Sequence, residues 1–171
     1  LPGGMGINFI KQFVASGMSK DVQLVVPLWG SDQDIVRAVG DPMVGLFSLG
    51  HWTVDLDNPA NKRFVAEFEK AYKRLPTGYA ASGYDTGLLL DAAIRKVKGK
   101  IEDKEALRAA LKSADFKSVR GDFKFGANQF PVQNYYLQVV SKNADGKIAH
   151  KTIGTVLTAR GDAYVQDCKM K

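Results

Sequence analysis

One cysteine and two histidines in 171 residues leave little of the side-chain chemistry that most enzymes use. Cys168 has no second cysteine with which to close a disulfide or seed a metal cluster within the chain, and it reads as a quiet thiol. His51 and His150 fall in separate regions, so neither a histidine metal site nor a Ser-His-Asp triad has its parts. No GxSxG elbow, GxxxxGKS/T phosphate loop or HExxH pair occurs. No run approaches the roughly 20 apolar residues of a membrane helix, and no leader with a basic start and an apolar centre opens the chain. No catalytic residue, metal or cofactor is expected.

What is present is ordinary globular composition, 45% hydrophobic and 25% charged. The net charge of +6 is spread over several helices, as at Lys62, Arg63, Lys70, Arg95 and Lys98, and is not gathered with aromatics into one stripe. The excess reads as a solvated surface and no nucleic-acid partner is expected.

Three glycines, Gly3, Gly4 and Gly6, precede a segment in which Ile7, Ile10 and Val14 recur at helical spacing and Gly17 can end the helix. Leu1-Pro2 reads as a strand end entering a turn, which makes residue 1 a cut edge. VQLVVP (22–27) reads as a short strand buried on both faces. Ser31 is placed to cap a short helix through Val39, and GLFSLG (45–50) reads as a second buried strand. Alternating helix and strand predict a parallel sheet with helices packed on it.

From His51 the texture changes. Asn58 is a natural N-cap with Pro59 at the first helical position, and Phe64, Phe68, Tyr72 and Leu75 form one apolar face, with Glu69 and Lys73 paired on the other. ASGYDTGLLLDAAIRKVKG reads as a helix apolar around most of its circumference and therefore buried; EDKEALRAALKSA reads as a third, capped by Asp103, with Ala106, Leu107, Ala110 and Leu111 inward. YYLQVV and KTIGTVLT then form a hairpin turning at Asp145-Gly146. The organisation is sheet, helices, sheet.

Two features point to a ligand. A glycine-rich turn feeding a helix offers free N–H groups and a positive dipole end to a carboxylate, although a tight connection alone needs the same glycines. Gly4-Met5-Gly6 is part of a dinucleotide fingerprint, but Phe9 stands where the third glycine belongs. Trp29 and Trp52 each follow a strand and Tyr84 begins a helix, where a ligand beyond the carboxyl ends of strands would sit; core closure is the alternative for each. Asp32 can accept hydrogen bonds from a ligand or serve the helix it precedes, and Asp85 is read as structural.

DNPANKRFVAEFEKAYKRLPTGYAASGYDTGLLLDAAI, followed by RGDFKFGANQFPVQNYYLQVV, resembles the C-terminal half of the type I periplasmic solute-binding proteins of branched-chain amino-acid ABC transporters. That resemblance implies an α/β fold of two lobes joined by three crossings, with a ligand clamped between them. It places 1–52 and 119–171 in the second lobe, the latter carrying the β-hairpin, and 53–118 in the first. The ligand contacts it implies fall on Leu1, Pro2, Gly3 and Gly4, on Trp29 to Asp32, at the crossing of His51 and Trp52, and on Tyr84. The implied ligand is a small carboxylate, a branched-chain or other amino acid or an aromatic acid; Pro2-Gly3-Gly4 stands where many members carry a tyrosine, and Trp29 and Asp32 where amino-acid binders often have a glutamate, a cleft that also suits an aromatic or other apolar carboxylate. The implied partners are a small-molecule ligand, the membrane permease of an ABC transporter and the N-terminal half of the same protein. The implied location is the periplasm, or the cell exterior by a lipid anchor, with a signal peptide in the parent. A ligand-sensing receptor domain of the same fold and a nucleotide-dependent enzyme are the rival readings.

Overall fold

A computed structural model describes residues 2–169. Five helices and five strands follow in the order α1 (Gly3–Ala15), β1 (Val25–Pro27), α2 (Gln33–Val39), β2 (Phe47–Gly50), α3 (Pro59–Tyr72), α4 (Gly78–Lys96), α5 (Lys104–Lys112), β3 (Lys124–Phe125), β4 (Pro131–Lys142) and β5 (Ile148–Arg160). The fold is mixed α/β with an open sheet flanked by helices, and the sheet, helices, sheet order is the expected one.

The sheet is not parallel throughout. β1 and β2 run parallel, but β4 joins β2 antiparallel, with Phe47 opposite Val139, and β5 pairs antiparallel with the other side of β4. A parallel pairing needs a crossover, which α2 supplies between β1 and β2; β4 and β5 are joined by the Asp145-Gly146 turn, in which Gly146 has a φ of 75°. The first strand is also shorter and less covered than VQLVVP suggested. Only Val25–Pro27 pairs, it lies at the sheet edge, and Val26 is buried while Val25 is 55% exposed.

Two apolar clusters hold the molecule together. Ile10 of α1, Val26, Ile35, Val36, Met43, Leu46 and Val140 close the sheet against α1 and α2. Trp52, Leu56, Phe64, Ala81, Val119 and Tyr136 join the helical excursion to the sheet. Each fully buried side chain of this size contributes roughly 1.5–3 kcal/mol, so the second cluster fixes where α3 and α4 leave the sheet.

Local signals set the helix ends. Asn58 Oδ1 accepts the Asn61 N–H at 2.8 Å with Pro59 in the first turn, and Asp103 caps α5 through the Ala106 N–H at 3.0 Å. Gly17 takes the left-handed conformation after α1. Other local expectations are corrected. Asp32, not Ser31, caps α2, its Oδ1 accepting from the Asp34 and Ile35 amides at 3.1 and 3.3 Å. The Ser31 hydroxyl instead donates to Ser48 Oγ at 2.9 Å in the interior. Glu69 pairs with Lys147 at 2.6 Å, because Lys73 has turned into the left-handed C-cap position of α3. α4 begins at Gly78 under a Thr77 cap, and it is not buried all round: Leu90 and Ile94 are exposed. Ala106 faces solvent on α5, whereas Ala110 is buried. Among the described residues no helix is long and apolar enough to cross a membrane.

Candidate functional site

Where the chain leaves the sheet for the helices, four aromatic rings converge. Trp29, in the single 3₁₀ turn Leu28–Gly30 that follows β1, lies 4.5 Å from Tyr79 and 5.5 Å from His51 between ring centroids. His51 in turn meets Tyr135 edge-on at 6.4 Å. Two glycines make this possible. A Cβ on Gly50 would stand 2.7 Å from Leu28 Cβ, and one on Gly78 would stand 2.9 Å from Leu28 Cδ2 and 3.3 Å from Trp29 Cζ3. The turn therefore seats against bare backbone on both sides, and the residues immediately after those glycines, His51 and Tyr79, flank the indole. Register shifts between Gln133 and Tyr136 break the regular β4–β5 ladder at Tyr135 itself, a device that re-aims side chains.

A polar network adjoins the rings. Arg120 Nε lies 3.2 Å from Asp85 Oδ2, Nη1 donates to Gln133 Oε1 at 3.0 Å, and Nη2 reaches Ser82 Oγ at 3.5 Å. Gln133 Nε2 donates to the Tyr135 hydroxyl at 3.4 Å, and the guanidinium lies 5.4 Å from the centroid of Phe123. Asp85 also accepts from Ser118 Oγ at 2.6 Å and from the Val119 N–H at 2.9 Å. It is thus the clasp that ties α4 to the segment leading into β3, the structural role expected for it. Burial works against charge on both partners, raising the Asp85 carboxyl and lowering the Arg120 guanidinium from their ordinary values.

His51 is held neutral. Burial first, and the Arg120 charge second, lower its pKa from 6.5 to about 4. At neutral pH it has one N–H to donate and one nitrogen to accept, beside the rings of Trp29 and Tyr135. Tyr79 is 53% exposed, so this cluster has an open side.

The residues singled out in the sequence meet different fates. Trp29 and His51 come together. Trp52 does not join them: it is 2% exposed, its indole N–H donates to Asn61 Oδ1 at 2.7 Å, and its ring packs edge-on against Phe64. Core closure claimed it, which corrects its reading as a stacking residue. Tyr84 lies 4.7 Å from Phe64 and lines a different hollow of about 370 Å³ between α3 and α4, with Phe68 and Tyr72. It faces away from Trp29 because it stands five positions along α4 from Tyr79. Asp32 is 4% exposed and its Oδ1 is taken up in capping α2, the service to the helix it precedes; burial raises its pKa. Pro2 is the residue before α1, with no side-chain cap, so the first-turn amides behind Gly3 and Gly4 are free of one, and nothing lies within 4 Å of a Cβ built on either glycine. Leu1 lies outside the described residues. The sequence reading passed over Tyr79, Ser82, Arg120, Gln133 and Tyr135. Gly50 and Gly78, each just before a ring, were the available signal.

Comparisons with known proteins agree with this architecture. The family model described as periplasmic binding protein matches residues 1–147. The chain is 29% identical over 160 residues to Leu/Ile/Val-binding protein homolog 6 of Brucella melitensis, covering 91% of this chain and 41% of that protein. Among solved structures, it is similar to an ABC-transporter solute-binding protein of R. palustris in complex with benzoate: TM-score 0.87, 36% identity, 99% of this chain and 44% of that one. It is similar also to a solute-binding protein of Rhodopseudomonas palustris BisB5 in complex with 3,4-dihydroxybenzoic acid, at TM-score 0.82 and 30% identity over 93% of this chain and 44% of that one. The chain therefore spans less than half the length of these relatives.

Proposed function

The chain belongs to the periplasmic binding protein family, and from that premise we propose that it forms part of an ABC-transporter solute-binding protein that captures an aromatic carboxylate at the Trp29 cluster. The observation that carries this reading is the convergence of Trp29, His51, Tyr79 and Tyr135 beside Arg120, at the point where sheet and helices exchange the chain.

Each group has a physical task. Trp29 and Tyr79 offer faces for a flat ring, with an offset-stacked contact contributing about 0.5–1.5 kcal/mol beyond area burial. The neutral His51 imidazole donates to a ligand oxygen without bringing a second full charge next to Arg120. Arg120 supplies a positive potential moderated by Asp85. Similarity to benzoate- and dihydroxybenzoate-bound proteins supports the ligand class. Segments 1–52 and 119–171 are assigned to one lobe and 53–118 to the other, and a ligand touching both favours the hinge-closed state that a membrane permease would read. The periplasm is the location that fits this work.

Thermal-shift titration of the intact protein tests it. Benzoate or 4-hydroxybenzoate at a hundredfold excess over Kd should add about 2.7 kcal/mol of stability. Trp29→Ala should weaken binding at least about tenfold, the equivalent of 1.4 kcal/mol, while the variant still melts cooperatively. A shift with leucine and none with either aromatic acid would replace the ligand class; no shift with any carboxylate would defeat the reading.

A further inference from the structure

Beneath the same crossing, four buried polar atoms without hydrogen-bond partners belong to residues that line one small cavity. Gln33 Oε1, Thr53 Oγ1, Gln138 Oε1 and His150 Nε2 find no hydrogen-bond partner among the described residues. Their side chains belong to residues that are 6, 1, 0 and 7% exposed. All four residues line a single small cavity walled also by Leu28, Trp52 and Pro76, with room of about 10 Å³ for the centre of a water molecule.

The amide orientations cannot be reversed to cure this. Gln33 Nε2 donates to the Ile148 carbonyl at 2.8 Å, and Gln138 Nε2 donates to the Trp52 carbonyl at 2.9 Å. Flipping either amide would set oxygen against oxygen, so both Oε1 atoms must face the cavity as acceptors. The cavity is polar and about one water in size, whereas cavities that stay dry are apolar.

We infer that this cavity binds one structural water. It donates its two hydrogens to Gln33 Oε1 and Gln138 Oε1 and accepts from the Thr53 hydroxyl and from His150 Nε2–H. That assignment uses both donors and both acceptors of a water molecule once each and satisfies all four groups, none of which bonds another directly. It also fixes the histidine. Burial lowers the His150 pKa to about 4, so the ring is neutral and carries a single proton, here on Nε2. The water joins α2, β4 and β5 to Thr53, the first residue past Trp52 on the way to the helices, and so pins the place where the chain crosses. This inference does not depend on the identity of the ligand.

A crystal structure of the intact protein at about 1.5 Å, with ¹⁵N NMR of the imidazole at pH 7, tests it. Expected are one solvent peak with four partners at about 2.7–3.2 Å, and an Nε2–H tautomer. Thr53→Val and Gln138→Leu should each lower Tm by about 2–4 °C. The double variant should lose less than the sum, because both substitutions act through one molecule. A Thr53 hydroxyl bonded directly to Gln138, contacts near the 2.4 Å of a bound cation, an Nδ1–H imidazole, or strictly additive losses would each overturn it.

Discussion

Around Ile10 and Val140 the apolar residues of α1, α2 and the sheet enclose one another, both at 0% exposure, while along the helical excursion Tyr72, Leu90, Ile94 and Ile101 remain 63, 46, 42 and 55% exposed. Both regions carry strong apolar patterns. The difference teaches that periodicity selects a face but not the surface that will cover it: α4 buries Ala81, Asp85 and Ala93 on one side and leaves a second apolar side open. The Trp52 cluster is the seam between the two regions, and it decides how far each can be perturbed separately.

Phe64→Ala, at the centre of that seam, should cost the most, about 3–5 kcal/mol. It removes the ring that Trp52, Phe68 and Tyr84 all pack against. A loss below about 1 kcal/mol in chemical denaturation would show that the helices are not anchored there.

Acidification should come next. His51 and His150 are both held near 4, below their unfolded value of 6.5, so the stability they lend is full above pH 6.5 and is lost as pH falls from 6.5 toward 4. Asp32 and Asp85, raised by burial, carry the opposite sign: what they lend is present at low pH and is lost as pH rises. Melting temperatures should fall across that window, and fall less steeply in His51→Asn. A flat wild-type profile would mean that both rings are solvated.

Gly78→Ala sharpens the contrast from the other side, since its methyl would meet Leu28 and Trp29 rather than open space. Overpacking of this kind costs about 1–3 kcal/mol, and Trp29 fluorescence should shift with it. Unchanged emission and stability would show that the 3₁₀ turn yields freely. Leu90→Ala should have the smallest effect, within about 0.5 kcal/mol in the 171-residue chain. A large loss there would mean that the open face of α4 is covered.

Capping chemistry was read well because it is local. Asn58 and Asp103 bond amides three residues away, and Gly146 needs only its own φ to turn the hairpin. The failures were contests between local and distant partners. Asp32 displaced Ser31 as a cap because Ser48 offered Ser31 a buried bond from another strand. Glu69 went to Lys147, 78 residues away. Of the site, Trp29 was legible as an aromatic at a strand end and His51 only through the family resemblance, whereas Arg120, Gln133 and Tyr135 arrive from the return segment and have no motif to mark them.

Sequence by itself determined the alternation of sheet, helices and sheet, most helix ends and the hairpin, since these depend on contacts within a few residues along the chain. Tertiary structure decided which of two similarly placed tryptophans would be core. Both follow a strand, but Asn61 lies within reach of the Trp52 indole and satisfies its N–H in the interior, while Gly50 and Gly78 let the turn bearing Trp29 settle between His51 and Tyr79. Burial needs partners from several elements at once, and no single stretch of chain contains them.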